Sequence, residues 1–418
     1  MSFIILIFYV ICLYIRPQEI QGLFFRSNIM FYLGISLVVF WILGIIKGNY
    51  KIAQVPQNIF IVCLLLAIAL SQLTNLYFHG AYKGFYEFSI NVILYFIISS
   101  VLDSEKKVII FIWILILCSS YIACEGVLLY YNRAGIDNLT MDEGRIRYVS
   151  IFGDPNDMAL AINTILPFLF YFIFYHTSKL FKFISMLLLV ICIYAIWLTN
   201  SRGGILTFCF ITTMFTIKRY KYTYGVVLSI IILLIMLAYA PTRMSMLTFQ
   251  EESARGRIVG MRTGMELMRS NYKSIFLGNG YGSFAEGPTG YVAHNSPMHV
   301  AGETGILGLY FWMGLIYISI KGLSAQFKNK IISNKNTYDL SHVLLISLIG
   351  FLFGALFLSS PYNPILYMLY GCIASILIIR RNIGEMINTY PTANEYIKNG
   401  IITAAILVIV NIFIRVVS

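Results

Sequence analysis

Apolar residues in this chain come in long blocks and only once in a stripe. About thirteen blocks, most of about 15–25 residues, are apolar on every helical face, and each suits an α-helix crossing a hydrocarbon layer of roughly 30 Å at 1.5 Å per residue. They fall near 2–15, 28–46, 56–74, 84–101, 107–131, 153–176, 180–198, 201–217, 223–240, 300–320, 341–359, 361–379 and 400–416. A helix apolar all round belongs in lipid or in a packed interior. The pattern predicts an all-α polytopic transmembrane bundle of about 12–14 helices, one integral membrane domain over 1–418. The first block lacks a basic leader and a small-residue cleavage site, and reads as a short first helix rather than a signal peptide.

The stripe lies in the one long interruption, 241–299, a loop of roughly 60 residues. In "SARGRIVGMRTGMELMRS" (253–270), Ile258, Met261, Met265 and Met268 share one helical face. Arg255, Arg262 and Arg269 border that face at seven-residue intervals, and Arg257 borders its other side. This predicts an amphipathic helix lying in a headgroup plane, with Arg262 and Arg269 suited to anionic lipid. Arg255 and Arg257 sit in its first turn, where the helix dipole favours an anion and not a cation. Two guanidinium forks there make a diphosphate receptor. The "FLGNGYGSF" that follows (276–284) has neither the preceding strand nor the following Lys-Ser/Thr helix of a nucleotide loop, and reads as a flexible turn back to the membrane.

Composition agrees with the blocks. The 418 residues are 59% hydrophobic and 11% charged, against about 25% charged in soluble domains, and mean hydropathy is +0.80. All seven cysteines lie inside apolar blocks without metal or disulfide spacing, and read as small buried hydrophobes. The net charge of +12 is spread over short loops and forms no stripe for nucleic acid. Lys47, Lys51, Lys106, Lys107, Lys179, Lys182, Lys218, Arg219, Lys221 and Arg380 all fall in even-numbered loops, which the positive-inside rule makes cytoplasmic. Arg16, Arg202, Arg255, Arg257 and His294 then share the outer face, and 241–299 becomes an external loop.

Three further clusters carry candidate chemistry. "WLTNSRGGIL" (197–206) sets Arg202 between two apolar blocks with almost no loop. Its neighbours Asn200, Ser201, Gly203 and Gly204 favour an anion-binding arginine lining an outward cavity over a snorkelling one. "FGDPNDMALAINTILPF" (152–168) offers Asp154 and Asp157, read first as an N-cap followed by Pro at the first helical position. "HNSPMHVAGETGILG" (294–308) puts His294, Asn295 and His299 at the door of an apolar helix, where a group titrating near neutrality suits proton chemistry on a lipid-borne substrate. His299 reads as a structural histidine. Glu303 either fixes His294 or complements the helix dipole.

In that order, "SRGG", the arginine-rich stretch with its glycine turn, and the His-Asn segment resemble the signature regions of the bacterial O-antigen ligase and O-antigen polymerase superfamily. "IFGDPNDMALAINTILPF" is similar to an upstream segment of those proteins, and "YIRPQE" (14–19) to some of their N-termini. The motif-bearing region covers about 150–320. The resemblance implies a GT-C-like membrane glycosyltransferase in the bacterial inner membrane. It would move a glycan from undecaprenyl diphosphate to an acceptor hydroxyl at the periplasmic face, without metal or cofactor. Arg202 and Arg257, with Arg255 as alternate because Met261 stands where many members have Trp, would hold the diphosphate. His294 would be the base or hydroxyl-orienting group, with Asn295 shaping its hydrogen bonds and Glu303 supporting. The implied partners are the lipid-linked donor; a glycan, lipid A core or protein acceptor; membrane lipids; and a chain-length regulator. A transporter or flippase of a lipid-linked glycan or small anion is the competing class. It predicts internal repeats and midplane charges, and the sequence shows no repeat.

Overall fold

The computed structural model describes residues 1–20, 27–132, 144–220, 222–227, 230–231, 252–284, 292–328, 335–384 and 390–417. Most of the expected helix 223–240 and the start of the long loop lie outside them. Among the described residues every regular element is helical. In chain order these are α1 (Ser2–Ile15), α2 (Ile29–Ile46), α3 (Gln57–Leu73), α4 (Phe78–Val101), α5 (Glu105–Asn132), α6 (Pro155–Phe174), α7 (Lys179–Leu198) and α8 (Arg202–Arg219). They are followed by α9 (Glu252–Arg269), α10 (Tyr272–Leu277), α11 (Ser296–Lys328), α12 (Lys335–Ala355), α13 (Pro364–Asn382) and α14 (Ala393–Val417). Nine of the described helices are long and apolar enough to cross a membrane.

The chain forms two compact units, each assembled from separate stretches. The first comprises 1–52, 100–247 and 334–354. Its centre is α6, which packs on α5, α7 and α8 and is buried without a break from Met158 to Phe172. The second unit comprises 53–99, 248–333 and 355–418. Its centre is α11, which packs on α3, α9, α10, α13 and α14. A Cβ at Gly314 would stand 2.1 Å from the Phe60 ring, so this glycine is what lets α11 and α3 approach so closely.

Polar residues set the helix starts. Asp154 caps α6 by accepting from the Asn156 N–H at 2.6 Å, with Pro155 at the first helical position. Asn363 caps α13 from Ile365 N–H at 3.0 Å, again followed by Pro. Several bounds differ from the hydropathy blocks. The block 341–359 ends as helix at Ala355, because Asn363 and Pro364 impose a fresh start and leave 356–363 as a loop. Helix α4 begins at Phe78 rather than 84, and its polar first turns are helical although they are not apolar.

Ser201 caps α8 by accepting from Gly204 N–H at 3.0 Å, and its hydroxyl donates to Asn156 Oδ1 at 2.6 Å. Ser201→Ala removes both bonds at a position only 1% exposed. The expected cost is about 1–2 kcal/mol, read as a lower midpoint in denaturation from mixed micelles. An unchanged midpoint contradicts the capping role.

Candidate functional site

In the first unit, Arg202 is the first residue of α8 and is half-buried. Asn200, two residues earlier, adopts a positive φ of 51°, and this turn swings the chain from α7 into α8. The Asn156 carbonyl that receives Ser201 also receives Arg145 at 3.2 Å, while Arg145 Nε holds the Thr199 carbonyl at 2.9 Å. Gly204 is where α8 meets α6: a Cβ there would lie 2.7 Å from Ala159 Cβ, and Asn163 donates to the Gly204 carbonyl at 3.0 Å. Asp154 and Asn156 are thus spent on the cap and on this network, which holds the turn bearing Arg202.

In the second unit, α9 carries Arg257, half-buried, and Arg262 and Arg269, both exposed. Arg255 lies in its first turn. The buried face of α9 includes Met265 and Met268, as the periodicity predicts, but also Gly256, Gly260 and Gly264. These recur every four residues, the small-residue spacing that allows close helix approach. A Cβ at Gly260 would lie 2.2 Å from the Val292 carbonyl, and one at Gly264 3.0 Å from the Phe284 ring. The helix is therefore seated on protein, with Arg262, Glu266 and Arg269 left exposed.

The glycine turn after α10 is also docked. Gly305 has φ 66°, ψ −166° inside α11 and interrupts the helix. The break frees the carbonyls of Gly302 and Glu303, which accept from the N–H groups of Asn279 at 3.1 Å and Gly280 at 2.9 Å. Gly278, with φ 75°, passes so close that a Cβ would sit 2.2 Å from the Glu303 carbonyl oxygen. The flexible return expected from "FLGNGYGSF" is a turn fixed to α11 by these bonds.

His294 precedes α11 with φ 46°, and its backbone N–H donates to Ser359 Oγ at 2.8 Å. Asn295 Oδ1 accepts from Met298 N–H at 3.1 Å, and its amide donates to the Leu356 carbonyl at 3.1 Å. Ser296 Oγ donates to the Leu358 carbonyl at 2.8 Å. The His-Asn-Ser segment is latched to loop 356–363. Asn295 thus helps both to latch the segment and to start α11.

Glu303 takes His299 as its partner, with Nε2 to Oε1 at 3.1 Å, and the same oxygen accepts from Gly282 N–H at 2.8 Å. The pair occupies i and i+4 of the first segment of α11. Both residues line a cavity of about 370 Å³ with Gln72, His79, Lys83, Glu87, Tyr281, Phe284, Val292 and Tyr362. Glu303 Oε2 and His299 Nδ1 are buried with no hydrogen-bond partner among the described residues. Each such atom costs about 1–3 kcal/mol. Gln72 donates to the Tyr281 carbonyl at 2.5 Å and ties α3 to the turn.

Burial pushes the Tyr281 phenol well above its ordinary value, and the carboxylates of Glu87 and Glu303 push it the same way. Tyr362 rises for like reasons, burial first and the Glu303 charge next. With a raised folded-state pKa, the stability these groups contribute is complete below about pH 10 and is lost as pH climbs through the folded value. The ultraviolet difference between wild type and Tyr281→Phe is expected to show no tyrosinate at pH 10. A tyrosinate signal assigned to Tyr281 at or below that pH contradicts the buried, acid-flanked placement.

The sequence reading missed Gln72, Tyr281, Tyr362 and the polar face of α4. A signal for the last was present. His79, Lys83 and Glu87 are spaced four apart and so share a face, but His79 and Lys83 precede the apolar block that begins near 84 and only Glu87 lies within it.

Helices without strands, nine of membrane-spanning length among the described residues, define an all-α polytopic membrane protein. The model of the family described as O-antigen ligase matches residues 187–313. That stretch runs from within α7 to within α11 and contains Arg202, Arg255, Arg257, His294, Asn295, His299 and Glu303. The match supports the O-antigen ligase and polymerase superfamily, and with it a membrane glycosyltransferase of that general type. None of the curated proteins matches the chain.

Proposed function

We propose that this protein transfers a glycan from undecaprenyl diphosphate to an acceptor hydroxyl at the periplasmic face of the bacterial inner membrane. It acts as polymerase of a surface polysaccharide (O-antigen, capsule or exopolysaccharide) or as O-antigen ligase. The observation that carries this reading is the family match over 187–313, which encloses every residue the chemistry asks for.

The acceptor oxygen attacks the anomeric carbon, and the bond from that carbon to the diphosphate oxygen breaks. The hydroxyl proton passes to His294 as base or, where His294 only orients the hydroxyl, to the departing diphosphate. Undecaprenyl diphosphate departs with the electron pair of the broken bond. Arg202 and Arg257, with Arg255 two residues earlier on α9, meet the negative charge that develops there, and fixed guanidinium groups do this best where water is scarce. They supply the neutralisation that a divalent cation would otherwise give, so transfer proceeds in EDTA. The half-buried position of Arg257 and the docked start of α11 suit fixed donors and a fixed base.

Deleting the gene in its host tests the reading. The expected result is accumulation of undecaprenyl-diphosphate-linked glycan and loss of the mature surface glycan, restored by the wild-type chain and not by His294→Ala. Normal surface glycan with no lipid-linked build-up would overturn it.

A further inference from the structure

We propose that the cavity formed by the first turns of α4, the 278–284 turn, the start of α11 and Tyr362 is a sugar subsite that receives the acceptor glycan. For its place in the reaction this rests on the glycosyl-transfer reading. For the binding itself it rests on the cavity alone.

Four features point to a neutral, polyhydroxylated ring. The first is the aromatic wall. Tyr281 and Tyr362 have ring centroids 5.2 Å apart, and Phe284 lies 5.1 Å from the His299 ring. Flat faces of this kind suit the apolar face of a pyranose, as in small-ligand sites that are mostly apolar with a few placed polar groups. The second is unspent hydrogen-bonding capacity. Glu303 is 1% exposed, and its Oε2 is buried without a partner among the described residues, as is His299 Nδ1. The buried Tyr362 hydroxyl, in the same wall, is a third such atom. A sugar hydroxyl both donates and accepts, so a ring bound here can serve all three.

The third feature is charge. Among the described residues, Lys83 is the only permanently cationic side chain in the lining, set against the carboxylates of Glu87 and Glu303. No arginine lines the cavity among those residues. An acidic balance disfavours phosphate, so this is not a second diphosphate site. The fourth is position. Val292 is in the wall, two residues before the proposed base His294. At about 370 Å³, the space is near the lower end of the roughly 300–1,000 Å³ typical of small-ligand pockets, enough for a short stretch of glycan.

The test is binding to the purified full chain in nanodiscs, read by saturation-transfer NMR. The probes are a panel of methyl hexosides and N-acetylhexosaminides, with glycerophosphoethanolamine as a headgroup control. At least one glycoside is expected to receive saturation on its ring protons. Glu303→Gln and Tyr281→Ala are expected to weaken its binding at least tenfold, while Tyr281→Phe, which keeps the ring, has a smaller effect. Each variant is compared for binding of glycan-free undecaprenyl diphosphate, which is expected to be unchanged. This also serves as the folding check. Absence of saturation with every glycoside, equal binding by wild type and cavity variants, or saturation of the headgroup probe alone would overturn the subsite. If glycosides bind and undecaprenyl diphosphate does not, the subsite stands and the transfer reading fails.

Discussion

Alanine at Arg202 or at Arg257 is expected to lower glycan transfer by about 10²–10³-fold, a loss of about 2.7–4 kcal/mol of transition-state stabilisation. The leaving group is a diphosphate that gains negative charge as the glycosidic bond breaks. A fixed guanidinium placed before the reaction needs no reorganisation at that moment, and its value grows as water is excluded. Lysine should rescue only partly, because a single ammonium cannot match the planar fork that holds two phosphate oxygens. Ser201 caps the start of α8, and glycines and methionines contribute to the buried face of α9, so folding and transfer are read separately for each variant. The measurement is the initial rate of longer-glycan formation by each purified variant, with monodispersity as control. Rates within threefold of wild type for both alanine variants would remove these arginines from the reaction. Activity lost in Arg255→Ala but kept in Arg257→Ala would exchange their roles.

Valine at Gly260 is expected to destabilise the protein by about 1–3 kcal/mol and to suppress transfer more strongly than that loss alone explains. Even a single Cβ there would lie 2.2 Å from the Val292 carbonyl oxygen. Backbone cannot swing aside as a flexible side chain can, so α9 or the 292–296 segment must move. Arg257 is one turn before Gly260, and His294 is two residues after Val292. The shift therefore changes the spacing of the proposed diphosphate receptor and the proposed base, and misplacement of about 1 Å at such a site can cost about 10²-fold. Denaturation midpoint and transfer rate are measured together at a temperature where the variant stays folded. A Gly260→Val protein with wild-type midpoint and rate would show that the close approach does not matter.

The membrane helices were legible because a lipid-facing or enclosed helix needs only length and apolarity, and α1, α2, α5 and α7 match their blocks to within two residues at either end. Bounds failed where polar residues continue a helix or apolar residues leave one. Helix α4 begins six residues early with His79 and Lys83, and 356–363 is loop although it reads Leu-Phe-Leu. The arginine heptads of α9 were visible, but the Gly256–Gly260–Gly264 stripe was not, because a hydrophobic period gives no weight to residues that contribute by being small. Of the site, the Asp154-Pro155 start was read from the sequence; the Ser201 cap and the i,i+4 pairing of His299 with Glu303 are equally local but were not. The non-local parts could not. Gln72 reaches Tyr281 across 209 residues, and no periodicity encodes such a pairing. The pairing of His299 with Glu303 depends on the helical segment that Gly305 ends, where a four-residue spacing brings the two side chains together.

The most direct measurement is the product balance of the purified chain given a short glycan on undecaprenyl diphosphate, in EDTA, with no other protein. The expected result is one undecaprenyl diphosphate released for each glycan transferred, appearing together and at the same rate with or without the chelator. Failure to form any transferred glycan, release of the lipid diphosphate without transfer, or loss of the reaction in EDTA restored by a divalent cation would contradict arginine-assisted glycosyl transfer by this protein.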